Sequence, residues 1–179
     1  MPFAARTAAK VPTRSAFASA LRRLARRDHS EAEIREALAG LGHDREEIDE
    51  TIARLKSARY LDDKGYAERY TRSRVGSHLH GRIRVRHDLK QRGVAGELVE
   101  RALTTVVADG TEREALDNAA RKYWRFHASV PPETRLRRMW GFLLRRGFPA
   151  GMVGERLRSL WPKQGETLDG LDALENETE

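Results

Sequence analysis

The sequence predicts an all-α protein in which three tandem three-helix repeats form an elongated, curved body. Three observations support this fold class. Apolar residues between positions 15 and 162 recur with helical rather than alternating spacing. Residues that favour helix starts precede most of these runs. A pattern centred on Gly42, Gly93 and Gly147 occurs three times, and tandem recurrence is typical of stacked helical repeats.

The two ends of the chain differ in charge from its middle. Residues 1–14 carry three bases and no acid, whereas residues 163–179 carry one base and six acids. Neither segment has the periodic apolar residues that would offset the entropy cost of ordering. We therefore predict a disordered basic arm over 1–14 and a disordered acidic tail over 163–179, with a strongly basic folded part between them.

The first repeat is predicted over residues 15–61 and begins with a helix within 15–28. Ser30 and Glu33 have the spacing of a capping box, in which each side chain accepts from the backbone amide of the other residue. Asp44 and Glu47 repeat this pattern at the start of the third helix.

The second repeat is predicted over 62–110, with its first helix within 63–75. Asp62 is the expected N-cap, and Leu61 and Tyr66 are spaced as a hydrophobic staple.

The third repeat is predicted over 111–162, with its first helix within 112–127. Thr111 is expected to cap that helix, and Pro131–Pro132 to start the next one, where a missing amide donor is harmless. We expect Trp124, Trp140 and Trp161 to anchor the core of this repeat rather than to stack on bases.

The glycine pattern defines the last two helices of each repeat. Apolar residues stand eight and four positions before each glycine, and six, ten and thirteen positions after it. These spacings describe two amphipathic helices joined by a glycine turn. In column order the aligned residues are Ile34, Val85, Met139; Leu38, Leu89, Leu143; Ile48, Val99, Val153; Ile52, Leu103, Leu157; Leu55, Val106 and Leu160.

Signatures of enzymes, cofactors and membrane spans are missing from the sequence. It contains no Gly-rich phosphate loop, no GxSxG and no HExxH motif. The absence of cysteine excludes disulfides and the common structural zinc sites, and favours a reducing cytoplasm. No run approaches the roughly 20 apolar residues that span a bilayer. We expect a cytoplasmic monomer with no catalytic residues, no cofactor and no metal.

Two clusters of polar residues could suggest chemistry but have simpler interpretations. Asp62 and Asp63 are adjacent, so they do not share a helix face, and a helix cap is the better reading. His78, His80 and His87 have no nearby carboxylate placed to complete a metal site. We expect these histidines to be solvated or to contact phosphate.

Cationic residues provide the candidate binding site. The net charge of +7 favours an acidic partner, most often nucleic acid. Arg82, Arg86 and Lys90 fall on one helical stripe beside the apolar stripe of Val85 and Leu89. A solvated surface that only maintains solubility is the alternative. The predicted partner- or DNA-binding residues are Arg72, Arg74, Arg82, Arg84, Arg86, Lys90, Arg92, Arg137, Arg138, Arg145 and Arg146.

A central motif of the sequence consists of Tyr60-Leu61-Asp62-Asp63, Tyr66-Ala67, Tyr70, Ser73-Arg74, Gly81-Arg82-Ile83, Leu89 and Arg92-Gly93-Val94. This motif resembles that of the RecX family, and the similarity extends over about residues 15–162. The segment from Leu24 to Ile34 resembles the family's N-terminal unit, while the third repeat matches mainly by pattern. Lys64–Gly65 departs from the polar, helix-favouring residues usual there.

The resemblance implies a regulator of the RecA recombinase. RecX proteins bind the RecA filament on single-stranded DNA along its groove, inhibit strand exchange, ATP hydrolysis and coprotease activity, and promote filament loss. They have no catalytic activity and no cofactor. A helical module that binds nucleic acid independently of RecA is the alternative function, and an enzyme is the third hypothesis.

Overall fold

The computed structural model describes residues 14–107 and 110–161, which contain nine α-helices and no strand. The predicted acidic tail lies outside the described residues, as does the predicted basic arm apart from its last residue. A π-helical turn, Ser73–Ser77, extends α4. The helices are α1 Ala16–Leu24, α2 Glu31–Gly40, α3 Arg45–Ser57, α4 Asp63–Arg72, α5 Arg82–Gln91, α6 Gly96–Val107, α7 Thr111–Phe126, α8 Pro132–Arg145 and α9 Ala150–Leu160.

The nine helices form the three predicted units, α1–α3, α4–α6 and α7–α9. Of the fifteen apolar side chains aligned by the glycine pattern, fourteen are buried and only Leu160 is partly exposed. Gly42, Gly93 and Gly147 have φ values of 93°, 72° and 83°, a left-handed conformation that glycine adopts without strain. The predicted repeat is therefore confirmed.

The leucine before each glycine has a second role besides packing. The residue after the glycine donates its amide to the carbonyl of Leu38, Leu89 or Leu143, at 3.3, 3.1 and 3.3 Å respectively. This bond closes the helix end in the manner of a Schellman motif. Each Leu-xxx-Gly pattern thus places one side chain in the core and ends one helix.

The predicted helix starts are only partly correct. Ser30 and Glu33 form the full capping box, with both bonds at 3.1 Å. Asp44 accepts from the Glu47 amide at 2.8 Å, but Glu47 does not complete a box. Its carboxylate instead accepts from the Ala16 amide at 2.9 Å, where it holds the start of α1. The helix beginning at Pro132 is as predicted.

Two other predicted caps are wrong. Asp62 occupies the N-cap position of α4, but its side chain makes no capping bond. The neighbouring Asp63 accepts from the Glu31 amide at 2.8 Å and so holds the start of α2, while burial raises the pKa of Asp63. Thr111 is the first residue of α7 rather than its cap, because Gly110 takes that place with φ 77°.

The hydrophobic core is divided between the units. Units two and three share one cluster of buried residues, whereas unit one has its own smaller cluster. Leu61 packs in the small cluster and Tyr66 in the large one. The two residues therefore do not form the predicted hydrophobic staple. The three tryptophans anchor unit three as predicted, with Trp140 buried and Trp124 and Trp161 packed against the shared core.

Polar contacts join unit one to unit two. Arg92 donates to Glu33 at 2.6 Å, and Ser30 donates its hydroxyl to the Arg92 carbonyl at 2.5 Å. Arg69 pairs with Asp28 at 2.7 Å. Within the described ranges, none of the helices has the length and apolar character needed to cross a membrane.

Candidate functional site

The start of α5 is held by unit three. Its N-cap, Gly81, offers no side chain, and its first turn carries arginines where a helix dipole favours acids. Glu112 of α7 compensates for both deficits. Its carboxylate accepts from the Arg82 amide and from Arg82 Nε, each at 2.6 Å, while the Ile83 amide donates to the Gly147 carbonyl at 3.0 Å. Arg82 is thus a structural tie between units.

The rest of the α5 stripe is partly neutralised as well. Arg86 makes two bonds to Glu100 of α6, at 2.7 and 2.8 Å. These bonds raise the pKa of Arg86 and lower the pKa of Glu100. Arg84 pairs with Asp88 at 2.9 Å, whereas Lys90 is exposed and has no ion pair within the described residues. The predicted stripe exists, but among the described residues Lys90 is the one of its three cations without an ion pair, and its charge still helps to lower the pKa of Glu100.

A basic cleft of about 440 Å³ lies at the junction of units one and two. Tyr70 stands between two cations, with the guanidinium carbons of Arg74 and Arg92 at 4.8 and 5.0 Å from its ring centroid. Arg27 and Arg69 also line the cleft. Cations over an aromatic face are attracted by the ring quadrupole, so this arrangement concentrates positive charge at one point of the surface.

Glu33 limits the charge of the basic cleft, since it accepts from both Arg27 and Arg92. Burial opposes the ionisation of Glu33, but hydrogen bonds from Arg27 and the Ser30 amide outweigh burial, so its pKa lies below the ordinary value. A second acid, Asp28, also lines the cleft. The lining of the basic cleft therefore contains more arginines than acids. The bond between Arg92 and Glu33 attaches the unit-two side of the cleft to unit one.

Unit three carries four of the predicted cations. Arg137, Arg138 and Arg145 of α8 are exposed, and no described acid pairs with them. Arg146 has a structural role, because it donates to the carbonyls of His78 and Leu79 at 2.5 and 3.2 Å.

The eleven predicted residues thus fall into three groups. Arg82, Arg84, Arg86 and Arg92 pair with acids of the chain. Arg74 and Arg146 lie over aromatic rings. The rest project into solvent with no described side-chain hydrogen bond or ion pair, namely Arg72, Lys90, Arg137, Arg138 and Arg145. Their role in binding remains a prediction.

Glu112, Arg27 and Arg69 also contribute to these contacts, although no sequence pattern marks them. From the sequence, Glu112 is expected to be an ordinary acid in the first turn of a helix, and nothing in the sequence links it to Arg82. Arg27 and Arg69 meet only because two units pack together. Among the described residues, no group of three or more histidines and acids is placed to hold a metal ion.

These features define an all-α tandem-repeat protein with a cation-lined cleft where its first two units meet. Family models for the first, second and third three-helix domains of RecX match residues 16–55, 62–103 and 111–157, in that order. The chain belongs to the RecX family. The resemblance and the fold class predicted from the sequence are thereby confirmed.

Individual relatives agree with this assignment. A regulatory protein RecX from Trichlorobacter lovleyi is 34% identical over 138 residues, which cover 76% of this chain and 90% of the relative. One from Halorhodospira halophila is 38% identical over 136 residues, covering 75% and 81%. The crystal structure of RecX from Lactobacillus salivarius has the same fold, with a TM-score of 0.70 at 22% identity over 81% of this chain and 94% of that one.

Proposed function

We propose that this protein is a negative regulator of RecA, which binds the RecA–single-stranded DNA filament and inhibits its recombinase, ATPase and coprotease activities. The observation that carries the proposal is the ordered match of all three RecX domains across residues 16–157, together with relatives named as regulatory proteins. In this role the protein acts in the cytoplasm as a monomer, without a cofactor and without catalysis of its own.

The distribution of charge suits a partner that is both long and acidic. Exposed cations that make no ion pair with any described residue lie in units two and three, at Arg72 and Lys90 and on α8, while the basic cleft lies between units one and two. Several weak contacts on one rigid body add through effective concentration, so no single contact needs to be strong. A filament offers repeated acidic surface and phosphates along the length of such a body.

The direct test is a titration of this protein into RecA that is hydrolysing ATP on single-stranded DNA. The proposal predicts a falling ATPase rate at concentrations well below that of RecA, because loss of filament affects many subunits. An unchanged ATPase rate at a concentration equal to that of RecA would refute the proposal.

The alternative is a nucleic-acid-binding module that acts independently of RecA. Arg137 and Arg138 favour this alternative, because both are exposed and neither pairs with a described acid. Such residues contact phosphates without regard to sequence. This alternative predicts binding to naked DNA or RNA with a steep salt dependence and no effect of added RecA. Binding that strengthens only when RecA coats the DNA would exclude it.

A further inference from the structure

A second cleft, at the junction of units two and three, is lined by aromatic rings. It has a volume of about 420 Å³ and lies between α7, α8 and the loop that follows the π-helical turn. We call it the aromatic cleft and define it by Lys122, Tyr123, Phe126, His127, Phe142 and Arg146. The binding residues predicted from the sequence include only Arg146 from this set.

Three rings of the aromatic cleft contact one another in sequence. His127 lies against Tyr123 with ring centroids 4.0 Å apart and an interplanar angle of 15°. Tyr123 meets Phe142 at 4.8 Å, and the guanidinium of Arg146 lies 4.7 Å from the Phe142 centroid. Phe126 belongs to none of these ring pairs; 67% of its surface is exposed, and the Arg125 guanidinium lies 5.4 Å from its ring centroid. A pocket lined by aromatic rings and a few polar groups is typical of a ligand-binding site.

One wall of the aromatic cleft has an unusual backbone. The π-helical turn Ser73–Ser77 leads directly into this wall, and Leu79 has φ 55°, a left-handed conformation that is unfavourable for leucine. Arg146 holds the segment by donating to the His78 and Leu79 carbonyls. Strained residues and π-helical turns cluster at functional sites, where the surrounding structure maintains them.

The chemistry of the lining indicates a flat, anionic ligand. Lys122 and Arg146 are cations, and no carboxylate lines the cleft. Lys122 is exposed, has no described acidic partner and lies one helical turn from Phe126 on the same face of α7. Proteins hold single-stranded nucleic acid with this combination, in which bases stack on aromatic rings and cations follow the phosphates.

We propose that the aromatic cleft binds an unstacked base of single-stranded DNA, with Phe126 as the stacking surface and Lys122 at the adjacent phosphate. Duplex DNA does not fit this role, because its bases are already stacked and paired. The proposal deepens the proposed function, since it gives the protein a direct contact with the DNA of the filament, yet the contact can be measured without RecA.

The test uses the full chain and a fluorescently labelled oligo-dT, with affinity followed by anisotropy. Phe126→Ala should bind about tenfold more weakly, since one base stacked on an aromatic ring is commonly worth that much. Phe126→Trp should restore binding. Tyr60→Ala is the matched control, because Tyr60 is an aromatic residue with 57% exposure outside the cleft, and it should bind like the wild type. Equal affinity of Phe126→Ala and wild type would overturn the proposal.

An abasic oligonucleotide of the same length separates stacking from charge. The wild type should bind it about tenfold more weakly than oligo-dT, and Phe126→Ala should bind both with equal affinity. If the wild type binds the abasic oligonucleotide as tightly as oligo-dT, the protein contacts only the phosphates, and the assignment of a base to the cleft is contradicted. Lys122→Ala should lower the slope of log affinity against log salt by about one.

A parallel RecA ATPase titration separates this proposal from the proposed function. If Phe126→Ala weakens inhibition of RecA but leaves affinity for free oligo-dT unchanged, the cleft holds a protein side chain, and the assignment to a base is wrong. If the wild type leaves the ATPase unchanged while Phe126 still governs affinity for oligo-dT, the proposed function fails and the DNA site stands.

Discussion

Replacement of Glu112 by alanine should destabilise the protein, because Glu112 lies in α7 but holds the start of α5. The Glu112 side chain is only 1% exposed, and its carboxylate supplies the acceptors for the backbone amide and Nε of Arg82. Since the N-cap Gly81 has no side chain and the first turn of α5 contains no acid, Glu112 supplies both a cap and a negative charge at the start of this helix. The substitution therefore removes an ion pair, a cap and a favourable dipole interaction together.

The magnitude follows from the exposure of the two partners. Removing one partner of a buried ion pair costs about 3–5 kcal/mol, because the other charge is left without compensation. The Arg82 side chain is 40% exposed, so water recovers part of its interaction. We expect the free energy of unfolding to fall by about 2–3 kcal/mol in Glu112→Ala, and by about 1–2 kcal/mol in Glu112→Gln, which keeps a neutral acceptor.

Urea unfolding followed by helical circular dichroism at neutral pH measures this loss. Glu114→Ala is the matched control, because Glu114 lies in the same helical turn but is exposed, and it should cost less than about 1 kcal/mol. Arg82→Ala combined with Glu112→Ala should cost less than the sum of the single changes. A Glu112→Ala variant as stable as Glu114→Ala, or additive costs in the double variant, would refute the ion-pair argument.

Three further predictions concern stability. Leu89→Ala should lose about 2–5 kcal/mol of unfolding free energy, since Leu89 is fully buried in the shared core; a loss below about 1 kcal/mol would contradict its place there. Gly147→Ala should also destabilise the protein in the same urea assay, because Gly147 has φ 83° and a Cβ there would collide with Arg84; unchanged stability would contradict this packing. Glu33 has a lowered pKa in the folded protein, so its contribution to stability is present above its ordinary pKa and is lost as pH falls through the folded value. Urea midpoints measured below about pH 4.5 should therefore fall less steeply in Glu33→Gln than in the wild type, and equal slopes would contradict the role of Glu33.

The elements that depend on local sequence were predictable. Each glycine turn and its leucine lie four residues apart, and the capping box spans three, so helix periodicity and turn chemistry are sufficient to identify them. Two carboxylates near predicted helix starts bind elsewhere in the fold. Asp63 and Glu47 hold the starts of other helices, Glu31 in α2 and Ala16 in α1, and such use depends on tertiary packing.

The site was harder to predict than the fold, because a charge in the sequence does not reveal its partner. Arg82 and Glu112 are 30 residues apart and belong to different units. The stripe on α5 was correctly placed, yet two of its cations bind acids from α6 and α7. The aromatic cleft depends on a π-helical turn and on the left-handed Leu79, and neither has a signature that a helical pattern would show.

The central claim is that this protein acts on the RecA filament. Its most direct test is the length of RecA filaments on single-stranded DNA, measured by light scattering or electron microscopy after this protein is added well below the RecA concentration. Regulation of the filament predicts progressive shortening. Filaments of unchanged length at equimolar protein would contradict the claim.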